Sequence, residues 1–335
     1  MSSLPLFPLP EKPQLIGIAR LASEGESLRE GHNVEYFTIA AKSLLNRCVS
    51  KRGAPFEWTI NPYRGCEFGC KYCYARYTHE FMEMRDGVAF EQKIFVKQHA
   101  ADLLRQELRQ VKSGESIAIG AATDPYQPAE RRYEVTRAIL EEFARHDGFH
   151  LGIITKSNLI LRDIDVLQAV ARRNRFSVNV TVTTLDVELA RILEPRAPRP
   201  DLRLEAISKL SEAGLRVGMS GSPVLPGITD SPKDLEALVR AAAKAGAHYI
   251  FAGPLFLKPC SMAVFMPFLE KQFPRLVENY KRRYHDSAFL PSSYAKPLSK
   301  LVARLQQKYG LTRDSRRPQT IAPRAHAAGE QLELF

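Results

Sequence analysis

Three of the five cysteines lie within eight residues of one another. Cys66, Cys70 and Cys73 follow the spacing C-x3-C-x2-C. Thiolates this close in the chain converge on one point in space, as a metal ion or an iron–sulfur cluster requires. Three thiolates can hold three irons of a [4Fe–4S] cluster, which leaves the fourth iron open to another ligand. The spacing therefore predicts a metal or iron–sulfur centre.

A zinc site is an alternative interpretation of the same residues. The three cysteines together with His79 would make a Cys3His tetrahedron of the kind that binds structural zinc. A disulfide framework does not fit a chain of 335 residues with an odd number of cysteines and no secretory leader. Of the two cysteines outside the motif, Cys48 is predicted to be a plain buried thiol.

The composition is that of an ordinary globular protein, with 44% hydrophobic and 25% charged residues. No apolar run reaches the roughly 18 residues that span a bilayer, and prolines interrupt the apolar N-terminus. We therefore expect a cytoplasmic protein without a membrane partner, in a compartment where thiols stay reduced. The net charge of +11 and the pI near 9.4 favour a polyanionic partner.

Short apolar strands alternate with helices from residue 56 onward. This rhythm is typical of parallel βα units in an α/β barrel, whose chemistry gathers at the carboxyl ends of the strands. The residues before it are harder to assign, and the polar stretch 21–32 is predicted to be loop. The six predicted strands are 56–61, 116–123, 149–155, 176–184, 215–224 and 248–253.

The cysteine motif resembles a known family signature. C-x3-C-x-aromatic-C, with Tyr72 as the aromatic residue, is similar to the signature of the radical S-adenosylmethionine (SAM) superfamily. The resemblance implies a [4Fe–4S] cluster on the three cysteines, with SAM bound at the open iron and cleaved to a 5′-deoxyadenosyl radical. It implies an α/β fold of the partial (β/α)6 barrel type. It also implies an electron donor such as flavodoxin or ferredoxin.

Four segments are expected along a monomeric chain. An N-terminal extension precedes the partial barrel, and C-terminal helices with several basic residues follow it. The last segment is predicted to be disordered, because it is rich in Arg, Pro, Ala and Gln and poor in apolar residues. The predicted boundaries are 1–54, 55–260, 261–311 and 312–335.

Further motifs resemble a narrower group, the DNA-repair-photolyase-like relatives of spore photoproduct lyase. This resemblance covers about residues 55–260 and implies that Thr123, Lys156 and Ser177 contact SAM. Asp124 follows Thr123 at a strand end, where its carboxylate would accept from an ammonium group. The structural alternatives are that Asp124 starts a turn and that Lys156 is a solvated loop lysine. The matching runs are 61–76, 122–128, 154–157 and 193–207.

The same resemblance implies a role in hydrogen transfer for Tyr74, which directly follows the third cysteine. Tyr72, inside the motif, is placed with the cofactor-binding residues. The cysteine that donates hydrogen in the lyase corresponds to Ala121 here, so that donor is missing. Cys260, just after the sixth strand, is a candidate replacement, and an inert thiol is the alternative interpretation.

The chain ends in Gln-Leu-Glu-Leu-Phe at 331–335. This run resembles the pentapeptide that binds the bacterial sliding clamp. Leu334 and Phe335 would anchor in an apolar pocket, Leu332 would occupy the second position of the motif, and Gln331 would hydrogen-bond at the pocket rim. The alternative is an accidental amphipathic end that folds back onto the barrel.

Together these features favour a radical SAM enzyme that repairs or modifies DNA. Two alternatives stay open at the level of sequence. One is a radical SAM enzyme that acts on a protein, an RNA or a small molecule. The other is a non-catalytic, zinc-stabilised protein that binds DNA or the clamp.

Overall fold

The computed structural model describes residues 15–31, 34–48, 56–84 and 86–311. The predicted disordered tail at 312–335, and with it Gln331, Leu332, Leu334 and Phe335, lies outside the described residues. In chain order the strands are β1 (Ser27–Gly31), β2 (Val34–Ile39), β3 (Leu45–Arg47), β4 (Trp58–Ile60), β5 (Tyr63–Arg64), β6 (Lys93–Lys97), β7 (Ser116–Ile119), β8 (His150–Thr155), β9 (Arg175–Thr181), β10 (Val217–Ser220) and β11 (Tyr249–Phe251).

The helices fill the connections between strands and the C-terminal region. They are α1 (Gly17–Ser23), α2 (Tyr77–Glu80), α3 (Ala89–Gln92), α4 (Ala100–Glu107), α5 (Glu130–Tyr133), α6 (Val135–Phe143), α7 (Ile164–Arg173), α8 (Val187–Leu193), α9 (Pro200–Glu212), α10 (Pro232–Lys244), α11 (Pro259–Gln272), α12 (Val277–Arg283) and α13 (Ser292–Lys308). No helix in the described ranges is long and apolar enough to cross a membrane.

The larger sheet carries the site. Six strands lie parallel in chain order, β4, β7, β8, β9, β10 and β11, and β3 adds an antiparallel edge beside β4. Parallel neighbours in chain order require a crossover helix after each strand, which gives repeated βα units. The predicted α/β fold with six parallel strands is therefore confirmed.

The pairing of β8 with β9 aligns the side chains that face the barrel interior. Gly152 of β8 pairs with Ser177 of β9, and Ile153 pairs with Val178. Along β9 the side chains of Phe176, Val178 and Val180 are buried, while Ser177 and Asn179 between them are half-buried. Because side chains alternate across a strand, one face packs under the helices and the other faces the interior.

A second, four-stranded sheet has the order β1-β2-β6-β5. β2 lies parallel to β6, whereas β1 pairs with β2 and β5 pairs with β6 in antiparallel fashion. The prediction that residues 21–32 form a loop is wrong, since this stretch contains the end of α1 and all of β1. The polar composition of the stretch suggested a loop, but backbone hydrogen bonds to β2 order it as a strand.

The C-terminal helices cover the end of the barrel. α13 packs against α10, where the Lys308 ammonium lies 2.6 Å from a Glu236 carboxylate oxygen. α11 begins with Pro259, a residue well suited to the first turn because a helix leaves the first N–H groups unpaired. The side chain of Phe265 within α11 is fully buried.

Candidate active site

One cavity of about 370 Å³ opens where the six parallel strands end. The chain that leaves β4 passes through the short strand β5 and then contributes the cysteines from residues 65–73, the cysteine loop. The ends of the other five parallel strands and the loops after them contribute hydroxyl, carboxylate, ammonium and aromatic groups. The lining residues that carry chemistry are Cys66, Cys70, Tyr72, Cys73, Tyr74, Thr123, Asp124, Thr155, Lys156, Thr181, Ser220 and Ser222.

The three cysteines of the motif all line this cavity as free thiols. Burial raises the pKa of each thiol, to about 12 for Cys70, and the neighbouring thiols add to the effect. A thiolate in this cavity therefore needs a positive charge beside it. Iron supplies such a charge and binds the thiolate form, so buried thiols at this spacing fit a [4Fe–4S] cluster.

A single-ion zinc site is less well supported by the geometry. Within the described ranges, no group of three or more His, Cys, Asp or Glu side chains is arranged to hold one metal ion. His79 does not line the cavity. Its ring packs against Phe90 and Phe95, and its Nε2 lies 3.1 Å from the Lys93 carbonyl oxygen. In a cubane each thiolate binds its own iron, so three sulfurs need not meet at one ion.

Two glycines shape the cysteine loop. Gly65 has φ +82° and Gly69 has φ +62°, in the left-handed region that favours glycine. A Cβ on Gly69 would lie 2.4 Å from a Glu91 carboxylate oxygen. This carboxylate binds Arg76 at 2.8 Å and Arg196 at 2.8 Å. Arg76 also donates to the Cys70 carbonyl at 3.0 Å, so the buried Arg76–Glu91 pair holds the loop directly.

Glu67 and Gln127 join the cysteine loop to the loop after β7. The Gln127 side chain accepts from the Glu67 backbone N–H at 3.0 Å and donates to the Gly65 carbonyl at 3.1 Å. The Glu67 carboxylate accepts from Tyr36 on β2 and from the Ala129 backbone N–H, both at 2.8 Å. Residues from both sheets thus fix the loop.

Asp124 links the ends of β7 and β8. Its carboxylate accepts from the Thr155 hydroxyl at 2.7 Å and from the Lys156 backbone N–H at 2.7 Å. A third donor is the Tyr126 backbone N–H at 2.9 Å, the pattern of an Asx turn. Asp124 therefore positions Lys156. Asp124 also lines the cavity, and its predicted contact with a ligand stays a prediction. Thr123 lies beside it, donating weakly to the Tyr63 carbonyl at 3.4 Å.

A buried polar group that the sequence analysis did not single out lies behind the cysteines. Tyr72 donates to the Glu194 carboxylate, which also forms an ion pair with Arg203 at 2.5 Å. Burial pushes the pKa of Glu194 up, but Arg203 and Lys156 outweigh it and hold the pKa below its usual value. The only sequence signal was the Leu-Glu-Pro-Arg run that begins at residue 193.

Tyr74 lines the cavity, and its hydroxyl donates to the Ala121 carbonyl. Tyr74 and the position of the missing donor cysteine therefore lie together, although Tyr74 contacts the backbone of Ala121. Cys260 does not line the cavity. Its Sγ lies 4.0 Å from the Tyr74 carbonyl oxygen, on the other side of the residue, where it lines a separate pocket with Arg76.

Ser177 lies deeper in the barrel than the cavity lining. Its neighbours are Gly152 and Tyr249, whose hydroxyl also donates to Asn179 at 2.9 Å. Thr181, at the carboxyl end of β9, is the residue of this strand that reaches the cavity. Ser220 and Ser222 at the end of β10 were also missed. Their signal was their place at the end of an apolar strand.

The chain is similar to known proteins in sequence and in fold. Residues 60–242 match the sequence model of the Radical SAM superfamily. An uncharacterized protein of Mycobacterium tuberculosis is 37% identical over 284 residues, which cover 84% of this chain and 83% of the relative. An uncharacterized protein of Methanocaldococcus jannaschii is 28% identical over 256 residues, 76% of this chain and 89% of the relative.

Among solved structures the chain is similar to spore photoproduct lyase complexed with dinucleoside spore photoproduct. The TM-score is 0.60 at 15% identity, and the match covers 90% of this chain and 85% of that chain. The chain belongs to the radical SAM superfamily and is a radical SAM enzyme. The predicted superfamily is thereby confirmed, and so is the likeness of its fold to that of spore photoproduct lyase.

Proposed function

We propose that this radical SAM enzyme binds a [4Fe–4S] cluster through Cys66, Cys70 and Cys73 and binds SAM in the adjoining cavity. The observation that carries the proposal is that three buried thiols and the Lys156 ammonium share one cavity at the strand ends. Its volume of about 370 Å³ falls within the range of small-molecule sites, roughly 300–1,000 Å³. When bound, the cluster and SAM together supply a 5′-deoxyadenosyl radical.

Lys156 and Thr123 are the proposed SAM-binding side chains on the wall beside the cysteines. The Lys156 ammonium attracts the methionyl carboxylate, because both charges meet in a cavity with little water. Asp124 holds the loop that carries Lys156, and its carboxylate adds a negative charge for the methionyl ammonium. The ring of Tyr72 lies under the Lys156 ammonium. Ser177 would act only on a ligand that extends into the barrel.

Tyr74 is the proposed hydrogen carrier. Its phenol lies in the cavity lining, and the hydroxyl donates to the Ala121 carbonyl. Burial raises the pKa of Tyr74, so the phenol keeps its hydrogen at neutral pH. Ala121 offers no transferable hydrogen of the thiol kind, so the final donor differs from a cysteine at that position.

DNA is the proposed substrate class, with repair or modification of a base as the outcome. Three observations support it: the net charge of +11, the cavity open to the surface, and the similarity in fold to a lyase that binds a dinucleoside photoproduct. A polyanion is the partner that such a charge attracts most strongly. The free thiols of the described chain favour the cytoplasm, where flavodoxin or ferredoxin would supply the electron.

Anaerobic reconstitution with iron and sulfide tests the cofactor proposal. We expect about four irons per chain and release of 5′-deoxyadenosine from SAM on reduction, with stimulation by damaged duplex or single-stranded DNA. Replacing the three motif cysteines by alanine should abolish both the iron and the cleavage, whereas Cys48→Ala should leave both unchanged. Tightly bound zinc, with no bound iron and no cleavage of SAM, would refute the proposal.

Binding to a bacterial sliding clamp through residues 331–335 is a further part of the proposal and rests on sequence alone. The test is a pull-down with the clamp, using the full chain and a chain without these five residues. Loss of binding on deletion supports the motif. Equal binding by both chains refutes it, and size-exclusion chromatography of the same samples tests the expected monomer.

A further inference from the structure

A series of aromatic rings leads from the cavity to the protein surface. Tyr74 and Phe256 line the cavity with ring centroids 4.9 Å apart. Phe256 stacks in turn on Phe289, with centroids 5.2 Å apart and ring planes 11° apart. Phe289 is 39% exposed, whereas the phenol of Tyr74 lies inside. The series therefore connects the proposed radical site with solvent.

Backbone contacts fix the outer part of this series. Phe256 and Phe289 form an antiparallel bridge, and the Leu257 N–H donates to the Ala288 carbonyl at 2.8 Å. A second exposed phenyl ring belongs to the cavity lining itself. Phe251 at the end of β11 lines the cavity and is 44% exposed. Two large apolar rings are thus held partly in water, Phe251 in the cavity lining and Phe289 stacked on the lining residue Phe256.

Three consecutive basic residues precede Phe289 in the chain. The last turn of α12 carries Lys281, Arg282 and Arg283, all exposed, and the chain then runs directly to Phe289. Three acidic groups accompany them: Glu278, paired with Lys281 at 3.0 Å, Asp286, 2.5 Å from the His285 ring, and Asp230, which accepts from Tyr294 under the Arg283 guanidinium. Arg282 donates to Asn279 and forms no ion pair with a described residue, so its guanidinium keeps a positive charge that suits an anionic chain passing these rings.

We propose that Phe251 and Phe289 form a stacking site for one unpaired nucleobase of a DNA strand, with its phosphates toward Lys281, Arg282 and Arg283. The inference rests on the proposed function, since it names where the substrate enters. A base inside a duplex cannot reach a recessed cavity and has to leave the stack first. Exposed aromatic rings bind such a base whatever its identity, because every base has a π-face. Cations beside the rings bind the backbone.

The test measures binding of a short single-stranded oligodeoxynucleotide that contains one 2-aminopurine, with the full chain in its reconstituted form. Anisotropy gives the affinity, and quenching of the 2-aminopurine reports stacking. Phe289→Ala and Phe251→Ala should each weaken binding by about 5- to 150-fold and relieve the quenching. Phe289→Trp should retain both. The matched control is Phe81→Ala, because Phe81 is 59% exposed but packs edge-on against Tyr77 and lies outside the cavity lining.

Wild-type affinity and quenching in both alanine variants would overturn the inference. Weaker binding of an apolar peptide in these variants, with DNA binding unchanged, would overturn it too. The outcome is separable from that of the proposed function. A wild-type chain that cleaves SAM while the alanine variants bind DNA normally leaves the proposed function standing alone. A chain that takes up no iron defeats the proposed function, and the affinity comparison still decides the stacking site.

Discussion

Lys156 lies over the ring of Tyr72, with its Nζ 5.7 Å from the ring centroid. Burial lowers the pKa of Lys156, but the charges of Cys70 and Glu194 outweigh burial, and the net effect is a raised pKa. The lysine therefore stays an ammonium beside the cysteines. Because Tyr72 is tied to Glu194 through its hydroxyl, the aromatic surface under this ammonium is fixed.

Lys156→Met removes the only lysine that lines the cavity among the described residues. We expect SAM to bind roughly 10- to 150-fold more weakly, the range of a hydrogen bond to a charged group. Lys156→Arg should recover only part of the affinity for SAM, because a planar guanidinium does not replace a compact ammonium. Equilibrium dialysis of the anaerobic protein with SAM measures this. Lys308→Met on the surface is the control, and equal affinity for Lys156→Met and the control would contradict the assignment.

Glu194→Gln leaves the Arg203 guanidinium in the interior without its counter-charge. The two side chains are 0% and 1% exposed, so we expect the free energy of unfolding to fall by about 3–5 kcal/mol. The control is Glu205→Gln on the same helix as Arg203. Its partner Lys209 is 52% exposed, and loss of that surface pair should change stability by about 0–1 kcal/mol. Urea unfolding measures the free energy of unfolding of both variants. Similar losses would show that the buried pair contributes no more to stability than the surface pair.

Gly69→Ala places a Cβ against Glu91 in a loop that already has positive φ. We expect a loss of stability together with less iron per chain, because Glu91 holds Arg76 and Arg196 on the cysteine loop. Gly114→Ala isolates the backbone effect, since Gly114 has φ +87° and nothing within 4 Å of its Cβ position. That control should lose about 1–2 kcal/mol and keep its iron. The measurement is the iron content per chain after reconstitution. A full iron content in Gly69→Ala would contradict the prediction.

His79 should make stability depend on pH. Burial lowers its pKa from 6.5 to about 4, so the folded protein favours the neutral ring. Its contribution is complete above the unfolded pKa of 6.5 and is lost as the pH falls through about 4. The full loss is about 3 kcal/mol.

His79→Gln should flatten the curve of unfolding free energy against pH in this window. His285→Gln serves as the control for the loss of a histidine at an exposed position. Denaturant unfolding at several pH values is the measurement. A His79→Gln curve that runs parallel to that of the wild type would show that burial of His79 does not cause the dependence.

The parallel strands were predictable because each is a short apolar run followed by a polar loop. The prediction for β7 ran on to residue 123, whereas the strand ends at Ile119. Gly120 explains the difference. Its φ is +90°, and the chain turns there into the cavity, although the following alanines still read as apolar. Apolar character indicates burial, and a loop that lines a cavity is buried without being a strand.

The second sheet was not predictable in the same way. β2 pairs with β6 from a distant part of the chain, and β5 has only two residues. Such pairing depends on contacts that no local pattern encodes. The Tyr72–Glu194–Arg203 group escaped for the same reason, since its members come from three separate elements. The cysteines were predictable because their chemistry lies in their spacing along the chain.

The cysteine loop runs between two sheets. β4 belongs to the barrel sheet, and β5, which begins three residues after β4 ends, belongs to the four-stranded sheet. Opening of the four-stranded sheet would therefore loosen one anchor of the loop while the barrel stays intact. Iron retention then reports on the local stability of a sheet that contributes no residue beyond this loop to the cavity. Hydrogen exchange in β2 and β6 should rise in step with the rate of cluster loss.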